Sequence, residues 1–258
     1  MDSLGPIGFF DSGVGGLSVW REVARLLPLE DTLYIGDGAN CPYGFKPPEM
    51  VVELSRFHAN SLIARGAKLI VVACNTATAA AISILRSEHP DVPFVGMEPA
   101  VKPAVLHTAS GVVGVLATAG TFRGRLYWET CARFAKGTNV LMCVADEFVE
   151  LVERGELEGR EVEAAVERRL GPLLNAGADH IVLGCTHFPF LKGAMERFAG
   201  TRAKIVDPSP AVARQVSRLL DERGLARESN DSPSHVFETT GDKKSFFSFL
   251  ASMPSAQA

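Results

Sequence analysis

The chain has 258 residues, of which 47% are hydrophobic and 22% charged, and its net charge is -4. That length supports one large core or two ordinary ones, and a pI near 5.9 excludes the basic stripe of a nucleic-acid binder. No apolar run reaches the ~20 residues of a membrane span, and MDSLGPIGFFDSG lacks a leader's basic start and cleavage site, so a cytoplasmic protein with no membrane partner is expected.

In chain order, IGFFDSGVGGLSVWREVARLL reads as a strand, a Gly-rich turn and a helix carrying Leu17, Trp20, Val23, Ala24 and Leu27 at helical spacing. DTLYIGD is a second strand, and EMVVELSRFHANSLIARG is a helix stopped by Gly66. LIVVAC is a buried strand feeding the helix TATAAAISILRSE. The programme then restarts with strand, turn and helix in VVGVLATAGTFRGRLYWETCARF, a strand in NVLMCVA, a helix in EVEAAVERRLGPLLNAG and a strand in HIVLGC. Such alternation predicts an α/β fold of parallel sheets flanked by helices. The final ASMPSAQA is small and polar and is expected to fray.

The restart is a duplication. GAKLIVVAC, ending at Cys74, and GADHIVLGC, ending at Cys185, are near copies 111 residues apart. Ile7-Gly8-Phe9-Phe10 pairs with Val113-Gly114-Val115-Leu116 at an offset of 106, and VGMEPA pairs with VDPSPA at 111. Two similar domains are therefore predicted, residues 1–97 with 209–258 and residues 98–208, with an active site in the cleft between them.

Ligands of open α/β sheets bind at the carboxyl ends of the strands, where Cys74-Asn75-Thr76 and Cys185-Thr186-His187 both fall. A lone cysteine in an apolar strand is usually a small buried hydrophobe. Two at matched strand ends, each before polar residues, point to a pair of thiols facing one bound molecule, one removing a proton while the other supplies one. A following helix N-terminus is expected to lower such a thiol from its usual value of about 8.5. Asp11 ends the first strand, where it can help a thiol exchange its proton or receive an ammonium group; the alternative is a helix cap. His187 can stabilise a thiolate or cap local structure. Tyr43, in GDGANCPYGFKPP, presents a hydroxyl from a rigid turn or belongs to an ordinary surface loop. Cys131 and Cys143 read as structural, Cys41 leans that way, and Glu153 by itself reads as a solvated helix face. Five cysteines without a CxxC pair or His/Cys ligand spacing argue against both a disulfide framework and a zinc site.

The stretches FDSGVGGLSV, YIGDGANCPYG, VVACNTATA, VLATAGT, ELVERG, IVLGCTHFPFL, VDPSPAVAR and TTGD, in this order and over nearly the whole length, resemble the cofactor-independent glutamate racemases of bacterial cell-wall synthesis. The resemblance implies an isomerase that interconverts L- and D-glutamate and supplies D-glutamate for peptidoglycan, and thus for cell shape. It implies Cys74 and Cys185 as the acid/base pair, with Cys74 serving D-glutamate and Cys185 L-glutamate, and Asp11, Glu153 and His187 assisting. Asp11, Ser12, Tyr43, Gly44, Asn75, Thr76, Thr118, Thr121, Thr186 and His187 are the implied substrate contacts. No pyridoxal phosphate or metal is implied, and a homodimer is. Relatives commonly carry Cys-Pro before ELVERG, where this chain has Ala145-Asp146 with extra acids at Glu147 and Glu150. Some relatives have an N-terminal extension linked to activation by a cell-wall precursor; few residues precede the first strand here, so no activator requirement is expected. The rivals are the same chemistry on aspartate or another amino acid, a cysteine hydrolase using Cys185 with His187, and a non-catalytic carboxylate-binding module.

Overall fold

A computed structural model describes residues 3–228 and 231–253. The chain opens with β1 (Ile7–Asp11), α1 (Leu17–Leu26), β2 (Thr32–Gly36), α2 (Pro48–Ala64), β3 (Leu69–Val72), α3 (Asn75–Glu88) and β4 (Phe94–Gly96). A short α4 (Val101–His107) leads into β5 (Val112–Ala117), α5 (Ala119–Arg123), α6 (Arg125–Phe134), β6 (Asn139–Val144), α7 (Glu147–Glu153) and α8 (Arg160–Asn175). Then come β7 (His180–Gly184), α9 (Lys192–Ala199), β8 (Lys204–Val206), α10 (Ser209–Arg223), β9 (His235–Thr239) and α11 (Lys243–Ser252).

Among the described residues the strands form two sheets, ordered β4-β3-β1-β2-β9 and β6-β5-β7-β8, and every pairing is parallel. Read as β8-β7-β5-β6, the second sheet repeats the order β4-β3-β1-β2, so the duplication in sequence is a duplication of topology. Every residue of β1 and β3 is buried, and all of β7 but His180 is as well. Strands covered on both faces need continuous apolar sequence, which LIVV and IVLG supply. β9 adds an edge beside β2, and α10 packs along α1.

One continuous apolar core ties the two sheets together, running from Phe9 and Trp20 to Leu183 and Phe188. Within it the rings of Phe148 and Phe188 meet edge to face at 5.3 Å. That contact clamps α7 to the turn after β7, which fixes Glu153 relative to His187.

Several elements differ from the sequence reading. The single helix expected after VLATAG breaks into α5 and α6 at Gly124, whose backbone is extended and lies so near Ala79 that a Cβ would come within 2.5 Å of that side chain. β4, β8 and β9, with α4, α7 and α9, were not predicted, because segments of three to eight residues carry too few repeats to display a period. In the terminal segment Ala251 and Ser252 complete α11 and Met253 caps it, while residues 254–258 lie outside the described residues.

Candidate active site

Because the strands of each sheet are parallel, their carboxyl ends share an edge, and the two edges face each other. Ser12, Tyr43, Gly44, Cys74, Asn75, Thr76, Thr118, Cys185, Thr186 and His187 line one narrow cavity. Pro42 and Val149, which sequence reasoning missed, complete its wall. Asp11, Thr121 and Glu153 stand behind that wall and act on it through hydrogen bonds.

Cys74 is the N-cap of α3, and its Sγ accepts a hydrogen bond from the Ala77 N–H at 3.4 Å. Its thiol lies 3.9 Å from Ser12 Oγ, to which it donates. The expected lowering of this thiol by the helix is overturned. Burial pushes Cys74 well above the usual thiol range, the nearby Asp11 charge pushes the same way, and the Ala77 bond offsets only part of this. A helix terminus contributes roughly 0.3–1 kcal/mol, less than the desolvation of a fully buried anion. Asp11 is itself fully buried, accepts from Gly13 N at 2.9 Å and from Thr186 Oγ1 at 3.1 Å, and is raised by burial against the opposing pull of His187. In the free enzyme, iodoacetamide labelling of Cys74 should therefore climb about tenfold per pH unit with no plateau below about pH 9, because the thiolate fraction grows that way below its pKa. Peptide mass mapping reads this, and a plateau near neutral pH would contradict the raised thiol.

Cys185 has a different neighbour. Its Sγ is 3.6 Å from His187 Nδ1, and His187 Nε2 is 2.6 Å from Glu153 Oε1. Burial works against a charged imidazole, but the bonds to Cys185 and Glu153, with the Cys41 sulfur close by, outweigh it and raise His187 well above its ordinary value. Glu153 also feels burial pushing it up, yet the His187 bond, the His187 charge and the Val14 N–H hold it below the usual carboxylate range. The solvated helix face read from sequence alone is thus corrected, since the side chain of Glu153 is only 26% exposed. The Gly-rich turn after β1 makes this approach possible. A Cβ on Gly15 would come within 2.6 Å of His187 Cε1, and one on Gly13 within 2.7 Å of the Glu153 carboxyl carbon.

A polar wall faces the thiols. Thr76 Oγ1 and Thr118 Oγ1 are 2.9 Å apart, Thr118 and Thr121 hydroxyls 3.1 Å apart, and Thr118 also caps α5 by accepting from Thr121 N. Asn75 donates to Met97 O at 3.3 Å, while its Oδ1 is buried with no hydrogen-bond partner. A buried acceptor without a donor costs about 1–3 kcal/mol, so Oδ1 is suited to a ligand's N–H group. Asp146, one of the unexpected residues before ELVERG, accepts from Ala119 N at 3.2 Å, whereas Glu147 faces outward to Arg168 and Arg169.

Tyr43 lines the cavity, and its hydroxyl proton is committed to Asp37 Oδ2, to which it donates at 2.6 Å in a network that includes Asn40, Thr240 and, 3.1 Å from Asp37, His58. Sequence reasoning missed Asp37, whose partners come from the β2–α2 loop, from α2 and from the residue after β9. Tyr43→Phe should lower stability by about 1.5–3 kcal/mol, the worth of a hydrogen bond to a charged group, with little change in KM. Urea unfolding and kinetics would separate this from loss of a substrate contact, which would raise KM instead.

Comparison with known proteins decides the family. The Asp/Glu/hydantoin racemase pattern matches residues 19–216. The chain belongs to that family. It is accordingly an isomerase of the amino-acid racemase kind. A glutamate racemase from Roseiflexus is 49% identical over 249 residues, covering 96% of this chain and 92% of its own. The Escherichia coli glutamate racemase, solved with L-glutamate and the activator UDP-MurNAc-ala, matches with TM-score 0.84 and 35% identity, covering 95% of this chain and 93% of that one. The Francisella tularensis glutamate racemase, solved with D-glutamate, matches with TM-score 0.85 and 29% identity over 96% and 92% of the two chains. Family members thus share this two-sheet α/β architecture.

Proposed function

We propose that this protein racemises glutamate by a two-thiol proton transfer, with Cys185 acting on L-glutamate and Cys74 on D-glutamate. The observation that carries the reading is that the two thiols, from corresponding ends of β3 and β7, line the same cavity. In one direction the Cys185 thiolate takes the Cα proton and the Cys74 thiol delivers its own proton to the opposite face; the reverse reaction exchanges the roles. The thiol left charged by one turnover is neutralised by the next or through solvent.

The surroundings support that assignment. Removal of the Cα proton puts negative charge on the α-carboxylate, where Ser12, Asn75 and Thr76 are nearby donors, and the unpaired Asn75 Oδ1 suits the ammonium group. The Thr118 hydroxyl suits the side-chain carboxylate, with Thr121 holding Thr118, while Thr186 lines the same cavity and donates its hydroxyl to Asp11. Tyr43 and Gly44 contribute ring and backbone. His187 with Glu153 tunes Cys185, and Asp11 assists Cys74 from behind. Relatives solved with each glutamate enantiomer support glutamate as the substrate.

The two lobes of this reading are residues 1–97 with 209–258 and residues 98–208. Its cellular role is supply of D-glutamate for peptidoglycan by a cytoplasmic homodimer; among the described residues no helix is long and apolar enough to cross a membrane. The test is incubation of either enantiomer with reduced protein in D2O. Inversion with deuterium at Cα of the product is expected, and a folded, reduced protein that inverts neither enantiomer overturns the proposal. Parallel rates on aspartate measure its side-chain preference.

A further inference from the structure

Cys41 takes no part in the proton transfer proposed above, yet it lies beside the groups that tune it. The loop between β2 and α2 brings its sulfur close to His187 and Glu153. One ligand atom from each of Cys41, Glu153 and His187 lies within 4.8 Å of the other two. These three residues come from different parts of the chain, which is why no ligand spacing was visible in the sequence.

We propose that Cys41, Glu153 and His187 form an inhibitory binding site for a soft divalent cation of the Zn2+ type. The donor set of one thiolate, one imidazole and one carboxylate is suited to Zn2+ and poorly suited to Mg2+ or Ca2+, which prefer all-oxygen cages. Charge balances as well: a thiolate and a carboxylate neutralise the +2 ion around a neutral imidazole, so a partly buried site carries no net charge. Three protein ligands leave a fourth tetrahedral position for water.

Tetrahedral ligands on Zn2+ at about 2.0–2.3 Å sit some 3.3–3.7 Å apart. The 2.6 Å separation of His187 Nε2 and Glu153 Oε1 must therefore open by less than about 1 Å, with Cys41 closing in. Glu153 is the member with room to move, since its side chain is partly exposed while His187 is buried. Binding releases the Cys41 thiol proton and the shared imidazole proton to solvent, so affinity rises with pH. The ion then replaces the His187–Glu153 hydrogen bond, and Cys185 loses its charged imidazole partner.

Metal binding is independent of the reaction assigned to this protein; the loss of activity rests on the racemase reading, and two readouts keep them apart. Metal-free protein, kept reduced by a non-chelating phosphine, is titrated with Zn2+ against a fluorescent chelator and with Co2+ by absorbance. One equivalent bound, with a thiolate-to-cobalt charge-transfer band, is expected. Cys41→Ser and Cys41→Ala should lose the band and bind Zn2+ at least about 100-fold more weakly, since losing a ligand exceeds the 10–100-fold effect of an outer-shell partner, and inhibition of each is measured against its own metal-free rate. Zn2+ should inhibit glutamate inversion in the wild type and not in these variants. Unchanged Zn2+ affinity and an unchanged cobalt band in both variants would overturn the site and place the ion on the Cys74 and Cys185 thiols or elsewhere. Binding that vanishes with Cys41 but leaves inversion untouched would overturn the inhibitory role alone.

Discussion

Cys74→Ala and Cys185→Ala each lose about 10²- to 10⁴-fold in the inversion of glutamate, the usual range for removing a positioned acid or base. The loss should appear in both directions, because in the proposed mechanism every turnover uses one thiol as base and the other as acid. What survives differs between the variants. Cys74→Ala keeps Cys185 and should still exchange the Cα proton of L-glutamate with solvent, while Cys185→Ala should exchange that of D-glutamate. Proton NMR in D2O follows loss of the Cα signal for each enantiomer separately. Both cysteines are buried small side chains, so the alanine variants should fold, and unfolding curves check this. Full inversion by either variant would exclude the two-thiol mechanism.

Gly15→Ala removes nearly as much activity without touching an ionisable group. Gly15 does not have a left-handed backbone, so alanine is conformationally permitted there. The obstacle is contact: the new methyl would stand 2.6 Å from His187 Cε1 and 2.8 Å from its Cγ. The ring cannot swing outward, because His187 is 1% exposed and held between Cys185 and Glu153. Shifting it by about 1 Å should reduce kcat/KM about 10²-fold, and overpacking should lower stability by about 1–3 kcal/mol. Gly13→Ala presses instead on Glu153, whose partly exposed carboxylate can yield, so its effect should be several-fold smaller. Kinetics and urea unfolding of the two variants test that order, and a Gly13→Ala defect larger than that of Gly15→Ala would contradict it.

Much of the fold was legible because its signals are local or repeated. β3 and β7 are short apolar runs buried on both faces, each leading into a polar turn, and the nearly constant offset between the two halves exposed the duplication. β4, β8 and β9 were not legible, because three to five residues at a sheet edge carry no period and are strands only through their neighbours. Within the site, strand-end position identified Cys74, Cys185, Asp11 and His187. Glu153 looked like an ordinary helix-end acid, and its partnership with His187 depends on the Phe148–Phe188 contact.

By itself, the sequence determined the α/β class, the repeated architecture and the two thiols at matched strand ends, since strand burial and duplication are written in residue order. Tertiary structure alone decided the state and company of those thiols. Cys74 is an N-cap that the helix would favour as a thiolate, yet complete burial raises it. Tyr43 spends its hydroxyl on Asp37, and Cys41 meets His187 and Glu153 across three distant segments. Desolvation and long-range contact depend on which surfaces pack together, and that is a property of the folded arrangement.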